Sequence, residues 1–168
     1  MQTLVSSIIS RKGADVYTIG SRGTVFDAIV AMDCLNIGAL VVTDDDHAIP
    51  RADRKADAPY SAEQVIGIFT ERDYLRKVAL VGLPRETPVA DVMTTDLLIA
   101  STHTRVEEAM SLMTTARVRH LPVFEDGLMV GIISIGDLVK AISREQEAVV
   151  KYLQDVLTGI PAIMPRFR

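Results

Sequence analysis

The sequence is poor in cysteine and in aromatic residues. It holds one cysteine and no tryptophan, and aromatic residues make up 5% of its 168 positions. A single cysteine cannot form an internal disulfide, so the fold does not depend on one. Cys34 falls on the apolar side of a predicted helix and is predicted to be a reduced core residue. With few aromatic side chains, the core must be aliphatic, which is typical of helices packed on sheets.

Long apolar runs and an excess of positive charge are also absent. No apolar run reaches the ~18 to 20 residues that a membrane span needs, and the N-terminus lacks the basic and apolar regions of a secretory signal. The net charge of -4 disfavours a nucleic-acid partner, because phosphate binding relies on clustered Lys and Arg. The sequence predicts a soluble cytoplasmic protein with no membrane partner, or an organellar one if a transit peptide has been removed.

Motifs of the common catalytic sites are missing as well. There is no Gly-rich phosphate loop with Lys, no Gly-x-Ser-x-Gly, no paired Cys motif and no His-Glu-x-x-His. His47 and His103 have no neighbours at metal-ligand spacing, so no metal site is predicted. We therefore expect a binding module that has no catalytic residues and requires no cofactor.

What the sequence does contain is an internal repeat, which constrains the fold strongly. Apolar residues recur at helical spacing over 25–35 and again over 106–116, 81 positions later. After each predicted helix, a short apolar run indicates a buried strand, at 39–42 and at 121–124, still 81 positions apart. Both halves therefore contain the same helix and strand in the same register.

A second predicted strand shows where the two halves differ in length. It covers 65–69 in the first half and 129–133 in the second, a separation of 64 positions. The first half therefore holds 17 extra residues, which fall in a polar segment at 44–63. Prolines and mixed charges predict that this insertion is a mobile hairpin on the surface. Each second strand runs into another predicted helix, at 71–79 or at 135–143.

A short helix or turn and an extended segment precede each unit. The helices or turns are predicted at 5–10 and 89–93, and the extended segments at 16–19 and 97–100. The predicted fold class is therefore α+β, with two pseudo-symmetric β-α-β-β-α repeats. Because each sheet is too small to be stable alone, we expect the repeats to pack through their sheets.

The repeat and its punctuation also predict domain boundaries. Residues 1–82 form the first repeat, 83–145 the second, and 146–168 a helical extension and tail. Helical spacing of apolar residues continues until Gly159 and Pro161 end the helix. The apolar stripe of this extension either mediates self-association or folds back onto its own module.

A hydroxyl and a carboxylate lie three positions apart at both junctions between the second strand and the following helix. The pairs are Thr70 with Asp73 and Ser134 with Asp137. One interpretation is a capping box at the start of each helix. The other is a nucleotide site, in which the helix start faces a phosphate and the acid accepts the hydroxyls of a ribose. Recurrence at equivalent points of the repeat favours the nucleotide site.

These junctions read Gly-h-h-[Ser/Thr]-x-x-Asp, where h is apolar, and the second repeat carries Arg-His-Leu-Pro-Val at 119–123. Both motifs resemble those of the CBS-pair (Bateman) family, over about residues 5–145. The resemblance implies a homodimer that binds AMP, ADP, ATP or another adenosyl compound between two CBS repeats and signals to an effector protein. It implies ribose contacts for Asp73 and Asp137, neighbouring hydroxyls from Thr70 and Ser134, phosphate contacts for Arg119 and His120, and backbone contacts to adenine from Thr18, Ile19 and Ala100.

The first repeat departs from the family pattern, because Gly38 and Ala39 occupy the positions equivalent to Arg119 and His120. We therefore expect one well-formed nucleotide site and one that is weak or empty. Which acid shares a cleft with Arg119 is open. Arg72 either supplies the missing charge or makes a surface ion pair.

Two further possibilities stay open for His120 and for function. The basic residues before His120 favour phosphate contact over a hydrogen-bonded edge residue. The alternative functions are a dimerisation scaffold without ligand, a binder of NAD or S-adenosylmethionine, and a small hydrolase or transferase acting on adenosyl compounds.

Overall fold

The computed structural model describes residues 3–13, 15–44 and 60–157. The chain forms an α+β fold with two small sheets, the fold class predicted from the sequence. Its elements are α1 (Val5–Lys12), β1 (Thr18–Gly20), α2 (Val25–Leu35), β2 (Ala39–Thr43), β3 (Val65–Thr70), α3 (Glu71–Asp73) continued by a π-helix (Tyr74–Ala79), a 3-10 turn (Val89–Asp91), β4 (Ala100–Ser101), α4 (Val106–Ala116), β5 (His120–Glu125), β6 (Leu128–Ser134) and α5 (Ile135–Leu157).

The two three-stranded sheets have the same topology. In the orders β1-β2-β3 and β4-β5-β6, the first pair of strands is parallel and the second pair is antiparallel. The likeness extends to single backbone conformations, since α2 and α4 both end at a left-handed residue. These are Asn36 (φ 51°) and Arg117 (φ 56°), which are 81 positions apart. The chain therefore repeats in structure as it does in sequence.

Each hydrophobic core is completed by the leading helix of the other repeat. Val5 and Ile8 of α1 are buried in the core formed by β4 to α5. Val89 and Val92, from the leading segment of the second repeat, are buried with α2, β2 and β3 in the first core. The packing thus crosses the boundary predicted at residues 82 and 83, and the boundary itself stays a prediction.

A third apolar cluster joins the two sheets. Its members come from both repeats, in agreement with packing through the sheets: Val16, Val41, Tyr60, Val65, Leu97, Phe124, Met129 and Ile132.

The described end of the predicted insertion lies against the second repeat. The backbone carbonyl of Tyr60 accepts a hydrogen bond from Met129 (2.8 Å), and the Ala62 N–H donates to Gly127 (2.9 Å). At these residues the insertion is therefore not the free surface hairpin that was predicted, because it pairs with the turn between β5 and β6. The remainder of the insertion, residues 45–59, lies outside the described residues.

Cys34 is exposed, so its assignment to the core was wrong. The buried face of α2 is formed by Val25, Ala28 and Met32. Cys34 is two positions beyond Met32, which turns its side chain by about 200° around the helix, away from the core.

Helix α5 extends past the repeat, and its apolar stripe is open. Val149, Leu153 and Val156 are 54%, 52% and 56% exposed. Over the described residues the stripe therefore does not fold back onto its own module, which excludes that alternative for this segment. The predicted helix stop at Gly159 and Pro161 lies outside the described residues.

Two strand glycines allow the leading segments to approach the sheets. A Cβ atom at Gly67 would lie 2.5 Å from Met93 Sδ and 3.0 Å from the backbone oxygen of Thr94. At Gly131 it would lie 2.6 Å from Ile9 Cδ1, the flexible end of a side chain.

We expect Gly67→Ala to lower the free energy of unfolding by about 1 to 3 kcal/mol, as overpacking does. Gly131→Ala should lower it by less, because the Ile9 side chain can move. Urea denaturation measures both, and equal losses would contradict this account.

Candidate functional site

The first hydroxyl and carboxylate pair forms a capping box at the start of α3. Asp73 Oδ2 accepts hydrogen bonds from the backbone N–H (3.1 Å) and the hydroxyl (2.6 Å) of Thr70. The Asp73 N–H donates to Thr70 Oγ1 in return (3.2 Å). The motif therefore forms the capping box considered from the sequence. Its hydrogen bonds to the carboxylate use only one of the two Asp73 oxygens.

The other oxygen of Asp73 is held by a lysine and by the second half of the chain. Lys77 Nζ lies 2.8 Å from Asp73 Oδ1, and Thr94 Oγ1 donates to it at 3.0 Å. Burial raises the pKa of Asp73, but the hydrogen bonds from Lys77, Thr70 and Thr94 outweigh burial and hold the pKa below its usual value. The carboxylate is ionised at neutral pH, and a sugar diol would have to share or displace these donors.

Basic residues of the second repeat lie in the same cavity as Asp73. The cavity measures about 110 Å³ and opens between the start of α3 and the segment before β5. Arg119 therefore shares a cavity with Asp73, which answers the question that the sequence leaves open. The lining residues of this "Asp73 cavity" are Ile68, Thr70, Arg72, Asp73, Thr94, Arg117, Val118, Arg119 and His120.

Two arginines of this cavity connect the repeats. Arg72 Nη1 donates a hydrogen bond to the backbone oxygen of Arg117 (2.5 Å), and Arg119 Nη2 lies 3.8 Å from Glu71 Oε2. Arg72 therefore bonds to a carbonyl across the repeats, which disfavours the surface ion pair considered for it. Both side chains bring positive charge to the cavity of an ionised Asp73.

The second acid has different surroundings. Asp137 Oδ2 accepts hydrogen bonds from the N–H and the hydroxyl of Ser134, both at 2.8 Å. Lys12 of α1 lies 2.8 Å from the same oxygen. Burial raises the pKa of Asp137, but the bonds from Lys12 and Ser134 hold it below its usual value. Neither Arg119 nor His120 lines the cavity that contains Asp137.

A larger cavity lies between α2 and the starts of α3 and α5. Its volume is about 500 Å³, and Arg119 and His120 line it as well as the Asp73 cavity. Ile135 lines it at the start of α5 and Glu71 at the start of α3, so both helix starts border one space. A Cβ atom at Gly38 would lie 3.4 Å from both Glu71 Oε2 and His120 Cε1, so the missing side chain helps to keep this "central cavity" open.

His120 is a partly buried, neutral imidazole. Burial, together with the nearby charges of Arg119 and Lys12, lowers its pKa to about 4, against a smaller opposite effect of Asp137. No described residue hydrogen-bonds its ring, which disfavours the hydrogen-bonded edge residue considered from the sequence. Its phosphate contact stays a prediction, and at neutral pH the ring would act as an uncharged donor.

The three residues predicted to line adenine slots lie in strands, outside these cavities. Ile19 and Ala100 are 0% and 5% exposed and belong to the two cores. The Thr18 hydroxyl lies 3.2 Å from the Tyr60 hydroxyl. The side chains of Ile19 and Ala100 are therefore not available to a ligand. Backbone contacts stay a prediction, which β1 and β4 allow as edge strands.

Three partners of the two acids were not predicted from the sequence. Lys77 is four positions after Asp73, a spacing that brings side chains together on a helix and was a usable signal. Lys12 and Thr94 come from the leading segments of the opposite repeats. No local signal identifies such partners, because the exchange of leading segments is a property of the whole fold.

Metal ligands and membrane helices were also sought in the described residues. No group of three His, Cys, Asp or Glu side chains there could hold a metal ion. None of the helices in that part of the chain is both long and apolar enough to cross a membrane. His47 lies outside the described residues.

Fold and clefts together define a tandem-repeat α+β module with an acid-bearing helix start in each repeat. The family model for the CBS domain matches residues 89–144. The mitochondrial CBS domain-containing protein CBSX3 of Arabidopsis thaliana is 35% identical in an alignment of 164 residues that covers 94% of this chain and 73% of that protein. The chain belongs to the CBS-domain family of regulatory modules.

Solved structures agree with this assignment. A CBS-domain containing protein from Agrobacterium tumefaciens is 38% identical, with a TM-score of 0.69 over 83% of this chain and 98% of that chain. The hexameric CBS-CP12 protein of bloom-forming cyanobacteria is 25% identical, with a TM-score of 0.64 over 94% of this chain and 89% of that chain. The tandem CBS fold predicted from the sequence motifs is thus confirmed.

Proposed function

We propose that this protein is a non-catalytic regulatory module whose principal ligand is an adenosine nucleotide bound beside Asp73. The observation that carries the proposal is the composition of the Asp73 cavity. An ionised carboxylate of one repeat, which accepts hydrogen bonds, lines the same cavity as Arg117, Arg119 and His120 of the other. A sugar diol and a phosphate are the two groups that such a pairing recognises together.

The nucleotide spans the Asp73 cavity and the central cavity. Alone, the Asp73 cavity is too small, since sites for small molecules usually measure about 300 to 1,000 Å³, whereas the central cavity is about 500 Å³. The ribose hydroxyls donate hydrogen bonds to the Asp73 carboxylate, after Thr94 or Lys77 moves aside. The phosphates then lie at Arg119, where the two cavities meet, and the positive end of the α5 helix dipole borders the same space.

The Asp137 side is the weaker nucleotide site in this proposal. Gly38 and Ala39 provide no charge where the second repeat has Arg119 and His120. Lys12 already pairs with Asp137, so the carboxylate has a partner without ligand. One occupied cleft per chain follows.

Regulation follows from the position of the cavity between the repeats. A ligand that contacts both repeats favours the arrangement in which they are closest, and so shifts the equilibrium of any partner that senses this arrangement. We propose a homodimer as the working unit, with the exposed stripe of α5 as one contact and an effector protein as the recipient of the signal. The hexameric cyanobacterial relative supports self-association in this family.

A scaffold that dimerises without ligand is the second candidate, and the donor-saturated state of Asp73 favours it. Calorimetric titration with AMP, ATP, NAD and S-adenosylmethionine separates the two. Silence with all four would favour the scaffold, and product formation from any of them would support an enzyme. Mass spectrometry of ligands retained through purification names the bound molecule without presupposing it.

Arg119 provides a test of the phosphate end. We expect Arg119→Gln to weaken ATP binding about tenfold, the scale of one charge-assisted hydrogen bond, and to leave adenosine binding unchanged. Arg105→Gln is the matched control, because Arg105 is exposed and lines none of the three cavities. Calorimetry of both variants measures the effect. Equal losses for ATP and adenosine would mean that Arg119 does not contact phosphate.

A further inference from the structure

A second concentration of positive charge lies in a groove between α1 and α5. The groove measures about 200 Å³, and neither Arg119 nor His120 lines it. We call it the basic groove; its lining residues are Ile8, Arg11, Lys12, Asp137, Lys140, Ala141 and Arg144.

Four cations and one carboxylate line the basic groove. Lys12 is neutralised, because its ammonium group lies 2.8 Å from Asp137 Oδ2. Within the part of the chain that the structure describes, Arg11 Nε donates only to the Ser7 carbonyl of its own helix (2.9 Å). Lys140 and Arg144 form no ion pair with any described residue. Three positive charges are thus uncompensated in a chain of net charge -4.

The three cations are exposed side chains that border one groove. Lys140 and Arg144 are four positions apart and therefore lie on one face of α5, where like charges repel each other. Arg11 approaches the same space from the last turn of α1. An oxyanion between the two helices would remove the repulsion and accept hydrogen bonds from all three side chains.

We propose that the basic groove binds a phosphate-bearing small molecule, at a site distinct from the Asp73 cavity and the central cavity. Its volume corresponds to roughly seven waters at about 30 Å³ each, which suits a phosphate or diphosphate group. It is below the roughly 300 Å³ at which sites for whole small molecules begin. This site does not depend on nucleotide binding at the Asp73 cavity.

Removing the charge of Asp137 tests the proposal, because the expected change in phosphate affinity has a definite direction. In the basic groove it is the single negative charge, and it also occupies Lys12. Asp137→Asn keeps a hydrogen-bonding side chain at the helix start but removes this charge, so it should strengthen phosphate binding about threefold to tenfold. A ribose-binding role for Asp137 predicts the opposite direction for AMP. The two roles are therefore separable in one variant.

The experiment is calorimetric titration of the full chain with inorganic pyrophosphate at about 0.1 M salt, where exposed charges are only partly screened. All proteins carry Arg119→Gln, so that the Asp73 cavity contributes little. We expect the double change Lys140→Gln with Arg144→Gln to weaken binding about tenfold or more. The matched double change Arg76→Gln with Lys151→Gln removes the same charge from exposed residues outside the cavities and should leave binding unchanged.

Three outcomes would overturn the proposal. They are no pyrophosphate binding at all, equal losses in the two double variants, and weaker binding in Asp137→Asn. Vesicles with anionic phospholipid form a second arm: if they bind the protein through Lys140 and Arg144 while pyrophosphate does not, the ligand is a lipid surface and the small-molecule proposal fails. AMP titration of Asp73 variants reports separately on the nucleotide cleft.

Discussion

Replacing Asp73 with Ala is expected to lower the free energy of unfolding by about 3 kcal/mol and to weaken nucleotide binding by at least about tenfold. The capping box with Thr70 contributes about 1 kcal/mol, and loss of the bonds from Lys77 and Thr94 to a charged, buried group costs roughly 1.5 to 3 kcal/mol more. Lys77 keeps its bonds to the backbone oxygens of Val92 and Met93, which limits the damage. Urea denaturation and calorimetry with AMP at pH 7.5 measure the two effects.

The chain supplies its own control for this variant. Thr24 and Asp27 form the same capping box at the start of α2, with hydrogen bonds of 2.7, 3.1 and 3.2 Å. Asp27 lines none of the three cavities. Asp27→Ala should therefore cost about 1 kcal/mol, the value of a cap, and leave AMP affinity unchanged.

The difference between the two variants isolates what Asp73 does besides capping. If Asp73→Ala and Asp27→Ala cost the same stability, the bonds to Lys77 and Thr94 contribute nothing. If Asp73→Ala binds AMP as tightly as the unaltered protein, the carboxylate does not contact the ribose. Asp73→Asn, which retains one oxygen for the cap, distinguishes loss of the ligand contact from loss of the fold.

The repeated elements of the fold could be predicted because burial leaves a local pattern. Apolar spacing over 25–35 and 106–116 corresponds to α2 and α4, and the short apolar runs correspond to strands. The exchange of leading helices could not be predicted, since α1 is equally amphipathic whichever core it enters. Its placement depends on close approach between Ile9 and Gly131, residues far apart in the sequence. The error at Cys34 arose from a broad apolar helix, in which exposed and buried faces look alike.

The candidate site was only partly predictable, because one short motif serves two purposes. A hydroxyl three positions before an acid also occurs at Thr24 and Asp27, where it forms a cap outside the cavities. The spacing therefore predicts a helix start and does not by itself predict a ligand. What distinguishes Asp73 is the set of side chains brought to it by the other repeat, above all Arg117 and Arg119. Such contacts depend on tertiary packing and leave no pattern along the chain.

His120 is expected to make the fold acid-sensitive between about pH 6.5 and pH 4. The unfolded chain protonates this residue near pH 6.5, but the folded protein resists protonation until about pH 4. The unfolded state therefore binds more protons between these values, so the stabilisation is complete above pH 6.5 and is lost as the pH falls toward 4. Between pH 7.5 and 5.0 the free energy of unfolding should fall by about 2 kcal/mol from this residue alone, at about 1.4 kcal/mol per pKa unit.

Urea denaturation at pH 7.5 and 5.0 of the unaltered protein, His120→Gln and His103→Gln measures this effect. His120→Gln should lose most of the pH dependence, while His103→Gln, a change at an exposed residue, should retain it. Asp73 and Asp137 do not interfere, because their pKa values lie below the ordinary carboxyl value of 3.8 and their contribution is lost only in stronger acid. An unchanged pH dependence of the free energy of unfolding in His120→Gln would contradict the burial argument.

A phosphate bound beside His120 would favour its protonated form. AMP should therefore reduce the pH dependence of the free energy of unfolding and bind more tightly at pH 5.0 than at pH 7.5. In His120→Gln this gain in AMP affinity should disappear.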